Sequence, residues 1–355
     1  MTDESAHQVR TGAPRPTLEA VAEAAGVSRA TVSRVVNGGA GVRAPLREKV
    51  QRAVEELGYV PNQAARTLVT RHHDAIAVVI AEPESRVFSD PFFAQQLRGI
   101  SKELSHADSQ LVLLLVENTS EYQRVGRYLA GGHVDGALLF SLHQDDPLPA
   151  MARKLGLPTV FGGRPGWLGA ESDSALLYVD TDNRGGARSA VQHLVSAGRQ
   201  RIATITGPLD QTSALDRLDG YRDIFPCGDP ALIAQGDFTQ EGGGRAMAEL
   251  LAHRPDLDAV FAASDLMASA ALRVLREHGR RVPQDVAVVG FDDQESVAAW
   301  TDPPLTTVRQ DIEDMGRLMA RLMLRRLAQH GTEATGPGAL SSIITPTRLV
   351  VRSSG

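Results

Sequence analysis

This sequence lacks cysteine pairs, long apolar runs and an apolar leader. Cys227 is the one cysteine among 355 residues, which excludes an intramolecular disulfide framework and a zinc site built from several thiols. No apolar run approaches the roughly 20 residues needed to cross a bilayer, and the polar start MTDESAHQVRTGAPRP carries no secretory signal. We therefore expect a soluble protein of the cytoplasm, with a disordered lead-in at residues 1–16.

Motifs of catalysis are also missing. The chain has no G-x-S-x-G elbow, no H-E-x-x-H and no phosphate-binding G-x-x-x-x-G-K. Its GGRPGWLG segment does not have the spacing of a dinucleotide-binding fingerprint. These absences argue against an enzyme, and we predict no catalytic residue, no metal and no cofactor.

Charge is distributed unevenly along the chain. The formal net charge of −6 argues on average against a nucleic-acid partner. Up to Arg71, however, ten Lys and Arg residues outnumber seven Asp and Glu residues, whereas the remainder carries 27 basic and 36 acidic residues. The N-terminal region is therefore the part suited to an acidic partner.

Two short helices are predicted near the N-terminus. Apolar residues recur every three or four positions in LEAVAEAAG, which predicts a helix over residues 18–25 with one apolar face, capped by Thr17. Gly26 can adopt the left-handed conformation that ends this helix. Ser28 can accept hydrogen bonds from the free amides of the next helix, so the two helices meet at a tight corner.

The second helix presents a small, polar and cationic face. Val32, Val35 and Val36 are spaced to pack on the first helix, which leaves the arginines of SRATVSRVVNG pointing outwards. Arginine can pair with guanine in the major groove, and Ser or Asn can hold phosphates. The alternative is a solvated face in an ordinary helical bundle. The predicted DNA contacts here are Thr17, Ser28, Arg29, Ala30, Thr31, Ser33, Arg34 and Asn37.

Further segments follow this pair of helices in a fixed order. They read LREKVQRAVEELGYVPNQAARTL, VVGFDD, PPLTTVRQDIEDMG and TPTRLVVRSS. With TLEAVAEAAGVSRATVSRVVNG before them, they resemble the lactose-repressor (LacI/GalR) family of bacterial transcription regulators. The resemblance implies an all-α helix-turn-helix domain at 17–61, a hinge helix at 62–71 and a periplasmic-binding-protein-like effector and dimerisation domain at 72–355.

The hinge follows a third predicted helix, REKVQRAVEELGY. After it, VPNQAARTLVT allows a helix of only about two turns, which is marginal in water by itself. The resemblance implies that this hinge helix folds on the operator, contacts DNA through Asn62 and Ala65, and inserts Leu68 into the minor groove. The alternative for Leu68 is packing against the next domain. The apolar positions of the third helix are Val50, Val54 and Leu57.

From His72 the pattern changes to apolar runs separated by helix-length intervals. The runs are AIAVVIA, QLVLLLV, DGALLF, LPTVFG, RIATIT, DAVFAA and VAVVGF. Strands that are apolar throughout are typical of parallel sheets covered on both faces, so the predicted class is α/β. The resemblance implies two α/β subdomains, with the chain crossing between them near Arg164 and twice more after Leu305.

Polar residues follow several of these runs, at the strand ends where such sheets bind ligands. Asp and Arg can chelate vicinal hydroxyls and an aromatic ring can cover a pyranose, so a sugar is the predicted effector. The resemblance implies effector contacts for Arg217 and Asp292, and its loop after the first strand adds Asp90 and Phe92. The predicted effector-binding residues are Asp90, Phe92, Arg164, Arg217, Phe238, Ser264, Asp265 and Asp292.

Some of these residues also have plainer explanations. Asp265 and Asp292 could cap helices. Arg217 could form an ion pair between subdomains, and Phe238 could belong to the core. Phe93 is expected in the core as readily as at the pocket.

These features together predict a DNA-binding regulator, most simply a repressor of sugar-utilisation genes. A homodimer on a pseudo-palindromic operator would be released when a mono- or disaccharide binds between the subdomains. The segments EPESRVFSDPFF and GPLDQTSALDRLDGY resemble actinobacterial regulators of plant-polysaccharide use, which implies a glucoside or cello-oligosaccharide. The alternatives are a cytoplasmic solute-binding protein without a regulatory role and a regulator with a non-sugar corepressor.

Overall fold

The described residues form two compact units. One unit extends to His73 and the other runs from Asp74 to Gly355. The computed structural model describes residues 16–36, 41–59, 73–166, 176–329 and 340–355. The predicted hinge helix, residues 1–15 of the predicted lead-in, and the predicted DNA contacts Asn37, Asn62, Ala65 and Leu68 lie outside these ranges.

Three α-helices make up the described part of the first unit. They are α1 (Leu18–Ala25), α2 (Arg29–Val36) and α3 (Ala44–Leu57). Leu57 was predicted on the apolar face of α3, but its side chain is 37% exposed. The chain turns at Gly58 (φ 61°), and Tyr59 is buried in the core instead. The core residues are Val21, Ala22, Ala25, Val32, Val50, Ala53 and Tyr59.

The corner between α1 and α2 has the predicted caps. Thr17 Oγ1 accepts a hydrogen bond from the Ala20 amide at 3.2 Å, which satisfies a free donor at the start of α1. Gly26 ends α1 with φ 62°, a conformation that only glycine adopts without strain. Ser28 Oγ accepts from the Thr31 amide at 3.3 Å and so caps α2. The helix-turn-helix geometry therefore follows from three local residue choices.

The second unit is an α/β structure with two six-stranded sheets. Its strands are β1 (Ala75–Ile80), β2 (Gln110–Leu115), β3 (Gly136–Phe140), β4 (Thr159–Gly162), β5 (Leu177–Thr181), β6 (Ile202–Thr206), β7 (Ile233–Gln235), β8 (Ala259–Ala262), β9 (Ala287–Asp292), β10 (Thr306–Arg309), β11 (Ile343–Thr345) and β12 (Arg348–Val350). The first sheet has the order β11-β5-β4-β3-β1-β2 and the second β12-β10-β9-β8-β6-β7. All pairs are parallel except β10 with β12, which confirms the predicted parallel α/β class.

Helices cover both faces of each sheet. They are α4 (Glu84–Ser89), α5 (Pro91–His106), α6 (Thr119–Ala130), α7 (Leu148–Lys154), α8 (Asn183–Ser196), α9 (Thr212–Arg222), α10 (Gln240–His253), α11 (Asp265–Glu277), α12 (Glu295–Ala298) and α13 (Ile312–Gln329). Alternate residues of one strand therefore enter different cores. Ile76 and Val78 pack on the side of α5 and α13, whereas Ala77 and Val79 pack on the side of α6.

The described part of the chain crosses between the two sheets at three places. The predicted first crossing near Arg164 is wrong, because β5 still pairs with β4 in the first sheet and the crossing follows at residues 181–183. The two predicted crossings after Leu305 are confirmed, at residues 309–312 and 345–348. β5, β10 and β11 were not among the predicted apolar runs, because they are short and contain polar residues.

Two glycines bring α5 and α13 into close contact. A Cβ added at Gly99 would lie 2.0 Å from the Glu313 carbonyl oxygen, and one added at Gly316 would lie 2.2 Å from the Gln96 carbonyl oxygen. Backbones this close leave no space for any side chain at either position. The crossover helix α13 is therefore held directly against α5, whose first turns border the cleft between the two subdomains.

Candidate functional site

The outer face of α2 is the candidate DNA-binding surface. Val32 is fully buried and Val35 and Val36 are partly buried against the other helices, as predicted. On the other side Arg29, Ala30 and Arg34 are exposed, as are Thr17 and Ser28 before the helix, while Thr31 and Ser33 are partly exposed. Contact between these residues and DNA stays a prediction.

One predicted DNA contact already has a partner within the protein. Arg29 Nε lies 3.0 Å from Glu19 Oε1, and both side chains are largely exposed. A surface ion pair of this kind contributes no more than about 1 kcal/mol. Arg29 can therefore give up Glu19 and bind a DNA phosphate instead, with which arginine forms strong charge-assisted hydrogen bonds.

A cavity that opens to solvent lies between the two α/β subdomains. Its walls come from loops and helices that follow the strand ends of both sheets, the position at which open α/β sheets bind ligands. Seven of the eight predicted effector residues line it: Asp90, Phe92, Arg164, Arg217, Phe238, Ser264 and Asp292. Phe93 lines it too while being packed in the core, so both expectations for that ring hold.

Arg217 and Asp292 form a buried ion pair on the wall of this cavity. Arg217 Nη1 lies 3.4 Å from Asp292 Oδ1, and Arg217 Nε donates to Asn183 Oδ1 at 2.9 Å. The guanidinium lies 3.7 Å from the centre of the Phe291 ring, a close cation–π contact. Gln310 Nε2 donates to the same Asp292 oxygen at 2.6 Å. These bonds fix the orientation of one donor group and one acceptor group towards the cleft.

Burial dominates the electrostatics of this pair. It raises the pKa of Asp292 to about 7, although Arg217 opposes the shift. Burial also lowers the pKa of Arg217 from its usual value, against the field of Asp292. A carboxyl that titrates near neutral pH at a cavity wall is typical of functional sites, where burial is tolerated for the sake of binding.

Asp90 bridges the two subdomains. As the N-cap of α5 its Oδ1 accepts from the Phe92 amide at 2.9 Å, and the same oxygen accepts from Gln294 Nε2 at 3.2 Å. Asp90 belongs to the first subdomain, whereas Gln294 follows β9 in the second. Burial raises the pKa of Asp90 above its ordinary value. This side chain is therefore placed to respond to the distance between the subdomains.

Arg164 and Phe238 also contact the opposite wall. Arg164 Nη2 lies 2.7 Å from both carboxylate oxygens of Asp216 on α9. Phe238 has φ 63°, a left-handed conformation that a bulky residue rarely adopts. Its ring lies under the Arg86 guanidinium at 5.4 Å and the Arg217 guanidinium at 5.7 Å. Both predicted roles of Phe238, core and wall, are met by one ring.

Asp265 is a correction to the predicted set, since it does not line the cavity. It is fully buried, its Oδ1 accepts from Thr307 Oγ1 at 2.5 Å, and its Oδ2 accepts from the Gln294 amide at 2.8 Å. Burial, together with the nearby Asp292 charge, raises its pKa well above the usual value. Ser264 caps α11 through its hydroxyl, and Asp265 points behind the wall to tie α11 to β10.

Several polar residues of the cavity wall were not predicted. Asp180 lies near the end of β5, Asn183 follows that strand, and Gln310 follows β10, so the strand-end argument would have found them had those strands been recognised. Arg86 and Gln211 lie in the segments that follow β1 and β6, where they were overlooked, whereas Gln96 lies within α5, farther from any strand end. The unpredicted polar residues of the wall are Arg86, Gln96, Ser141, Asp180, Thr181, Asn183, Gln211, Thr212, Ser213 and Gln310.

A second polar cluster connects the subdomains beside the cavity. Glu82 Oε1 accepts from Ser141 Oγ at 2.6 Å and from Gln211 Nε2 at 2.9 Å. His143 lies 3.5 Å from the same oxygen through Nε2 and 2.8 Å from Asp210 Oδ2 through Nδ1. The hydrogen bond to Glu82, against the effect of burial and with help from Asp210, raises the pKa of His143 to about 9. The imidazolium therefore bridges carboxylates of both subdomains at neutral pH.

The described part of the chain contains no helix that is both long and apolar enough to span a bilayer.

Two family models match the chain. The model of bacterial regulatory proteins of the lacI family matches residues 17–62, and a periplasmic-binding-protein-like domain matches residues 191–355.

Curated relatives extend along most of the chain. The transcriptional regulator CelR of Thermobifida fusca is 52% identical over 345 residues, covering 96% of this chain and 98% of its own. The ribose operon repressor of Escherichia coli K12 is 34% identical over 323 residues, covering 88% and 93%. Both are named as regulators of transcription, not as enzymes.

Solved structures give the same result. A complex of the transcriptional regulator CelR with cellobiose has a TM-score of 0.75 at 48% identity and covers 96% of this chain and 100% of its own. A lac repressor dimer bound to operator and the anti-inducer ONPF has a TM-score of 0.81 at 28% identity, covering 96% and 99%. The chain therefore belongs to the lacI family of bacterial regulatory proteins.

Proposed function

We propose that this protein is a sugar-responsive repressor that acts in the cytoplasm as a homodimer on operator DNA. The observation that carries the proposal is the buried Arg217–Asp292–Gln310 cluster on the wall of a cavity between two α/β subdomains. Such a cluster offers hydroxyl groups both a charged donor and a charged acceptor. The similarity to CelR, whose solved complex holds cellobiose, supports a β-linked glucose disaccharide as the effector.

The proposed division of labour follows the predicted domains. Residues 17–61 bind the operator, 62–71 form the hinge, and 72–355 bind the effector and dimerise. The exposed arginines of α2 support major-groove contacts, and the lac repressor dimer on its operator supports a two-fold arrangement. Asp90, Phe92, Arg164, Arg217, Phe238, Ser264 and Asp292 are the proposed effector contacts.

Effector binding acts through the distance between the subdomains in this mechanism. Asp90–Gln294, Arg164–Asp216 and the His143 bridge already join the two walls, so a sugar that adds bonds to both walls favours the joined arrangement. The operator is then released if the DNA-bound dimer prefers a different arrangement of the two subdomains.

A fluorescence anisotropy titration tests this function. Operator duplexes are first selected from a random library, and the affinity of the protein is then measured with and without cellobiose. Cellobiose should weaken operator binding by the wild type but not by the Asp292→Asn variant. If no mono- or disaccharide changes operator affinity while a purine or a phosphate ester does, the non-sugar alternative replaces this proposal.

A further inference from the structure

Three segments that the sequence singles out converge on one carboxylate. VVGFDD ends in Asp293, PPLTTVRQDIEDMG contains Arg309, and TPTRLVVRSS contains Arg352. The Asp293 side chain is 1% exposed, whereas those of Arg309 and Arg352 are 43% and 20% exposed. A carboxylate buried to this extent needs charged partners to be tolerated. We call these three residues the Asp293 clamp.

Each oxygen of the Asp293 carboxylate accepts from one arginine. Arg352 Nη2 donates to Oδ1 at 2.6 Å, and Arg309 Nε donates to Oδ2. Arg352 is held in turn beside β10, because its Nη1 donates to the Leu305 carbonyl at 2.8 Å and its amide donates to Thr306 Oγ1 at 2.9 Å. The clamp therefore fastens the loop after β9 both to β10 and to the segment after β12.

The backbone that carries this carboxylate has an unusual conformation. Asp292 has φ 112° and Asp293 has φ 52°, so two successive residues adopt positive φ angles that side chains disfavour. Such conformations cost free energy and persist only where surrounding contacts impose them. Without those contacts this part of the chain would relax, and the direction of the Asp292 side chain would change with it.

Adjacent residues at and just after the end of β10 hold the two aspartates. β10 pairs in parallel with β9, and Arg309 is the register partner of Asp292. Arg309 donates to Asp293. The next residue, Gln310, donates through Nε2 to Asp292 Oδ1 at 2.6 Å. The contact that holds Asp293 and the contact that orients Asp292 therefore come from neighbouring residues, where the chain begins its second crossing between the sheets.

We infer that Asp293, held by Arg309 and Arg352, is a positioning residue that keeps the Asp292 carboxylate on the wall of the effector cavity. The inference rests on the proposed function, in which Asp292 is an effector contact. Asp293 itself does not line the cavity, so it acts through Asp292 and not on the sugar. Binding groups need supporting residues of this kind to stay within about 0.5 Å of the productive geometry.

Calorimetry on the full-length protein tests the inference with Arg352→Gln and Arg309→Gln, each of which leaves Asp293 one arginine. Arg348→Gln is the matched control, since it removes an exposed arginine of β12 outside the clamp. Cellobiose affinity at pH 8 should be at least about fivefold weaker in both clamp variants, because a displaced Asp292 loses part of the roughly tenfold or larger effect of a hydrogen bond to a charged group. The control should bind within about twofold of the wild type.

Urea unfolding without sugar separates displacement of Asp292 from a general loss of stability. Burial raises the pKa of Asp292 to about 7, so the free energy of unfolding of the wild type should fall between pH 5.5 and 8. In the clamp variants this fall should become smaller, because a displaced, solvated carboxyl titrates nearer its ordinary pKa. Loss of a nearby positive charge alone would instead raise the pKa further and enlarge the fall. A clamp that only fastened the chain would lower stability equally at both pH values.

Two results overturn the positioning role. One is cellobiose affinity within about twofold of the wild type in both clamp variants. The other is a fall in stability with pH that is unchanged or enlarged in both. If the wild type binds no sugar, the proposed function fails, while the sugar-free pH profiles still report whether the clamp positions Asp292. If Arg352→Gln does not fold, Arg309→Gln provides both measurements, since the Arg309 side chain is the more exposed of the two.

Discussion

Substitution of Asp292 by Asn provides a sharp test of the cavity electrostatics. Burial raises the pKa of this carboxyl to about 7, whereas an aspartate of an unfolded chain titrates near 3.9. Because the folded pKa is the higher one, the stability that this group contributes is complete below the unfolded value and is lost as the pH rises through 7. Between pH 5.5 and 8 the free energy of unfolding should therefore fall by about 2 kcal/mol. The slope is roughly 1.36 kcal/mol for each pH unit over which the folded state holds one proton more than the unfolded state.

The Asp292→Asn variant should therefore lose this part of the pH dependence. Urea unfolding followed by circular dichroism at pH 5.5 and pH 8 measures it, with Glu277→Gln as a control that removes an exposed carboxylate of the same subdomain. Cellobiose affinity at pH 8 should fall about 10- to 100-fold, since a charge-assisted hydrogen bond is lost. A variant that keeps the wild-type pH profile, or that binds cellobiose normally, would refute the reasoning.

Three further changes test other parts of the molecule. Arg34→Ala should weaken specific operator binding by about 1–3 kcal/mol and leave cellobiose affinity unchanged; equal weakening on random duplexes in anisotropy titrations would make Arg34 a phosphate contact. Gly207→Ala places a Cβ 2.2 Å from Phe238 Cζ, so it should push the ring into the cavity and lower cellobiose affinity in calorimetry, and normal affinity would contradict that placement. His143→Gln should lower the melting temperature at pH 7, and the difference from wild type should shrink as the pH rises through about 9, because a raised pKa gives a contribution that is complete below about 6.5 and is lost as the pH rises through the folded value. A difference independent of pH would argue against the bridge.

Local signals in the sequence predicted the first unit well. Helix α1, its Thr17 cap and its Gly26 end depend on interactions within a few residues, which a sequence displays directly. The prediction that Leu57 packs in the core was wrong, because apolar periodicity does not show at which residue the last turn of a helix stops contacting the core. The left-handed turn at Gly58, which ends α3, puts Tyr59 there instead.

Residues of the cavity wall were predicted where they follow strands that the sequence made recognisable. Apolar runs identified strands whose ends carry Arg164 and Asp292, whereas the short and polar β5 and β10 hid Asp180 and Gln310. A strand-end position also does not determine which way a side chain points. Asp265 has the right position in the chain, but its carboxylate turns towards β10 and away from the cleft.

Arg86 and Gln96 show what sequence patterns could not reveal. Both lie on helices, and both look like ordinary polar residues of an amphipathic face. Their position on the cavity wall appears only once the helices are packed, because which residues border a cavity is a property of the folded structure.

Reciprocity between effector and operator tests the central claim most directly. The operator Kd is measured with and without saturating cellobiose, and the cellobiose Kd with and without saturating operator, under one set of salt conditions. If one conformational equilibrium connects the cavity to DNA binding, both ratios have the same value, typically about 5- to 150-fold. Two unequal ratios, or an operator affinity that saturating cellobiose leaves unchanged, would contradict the account.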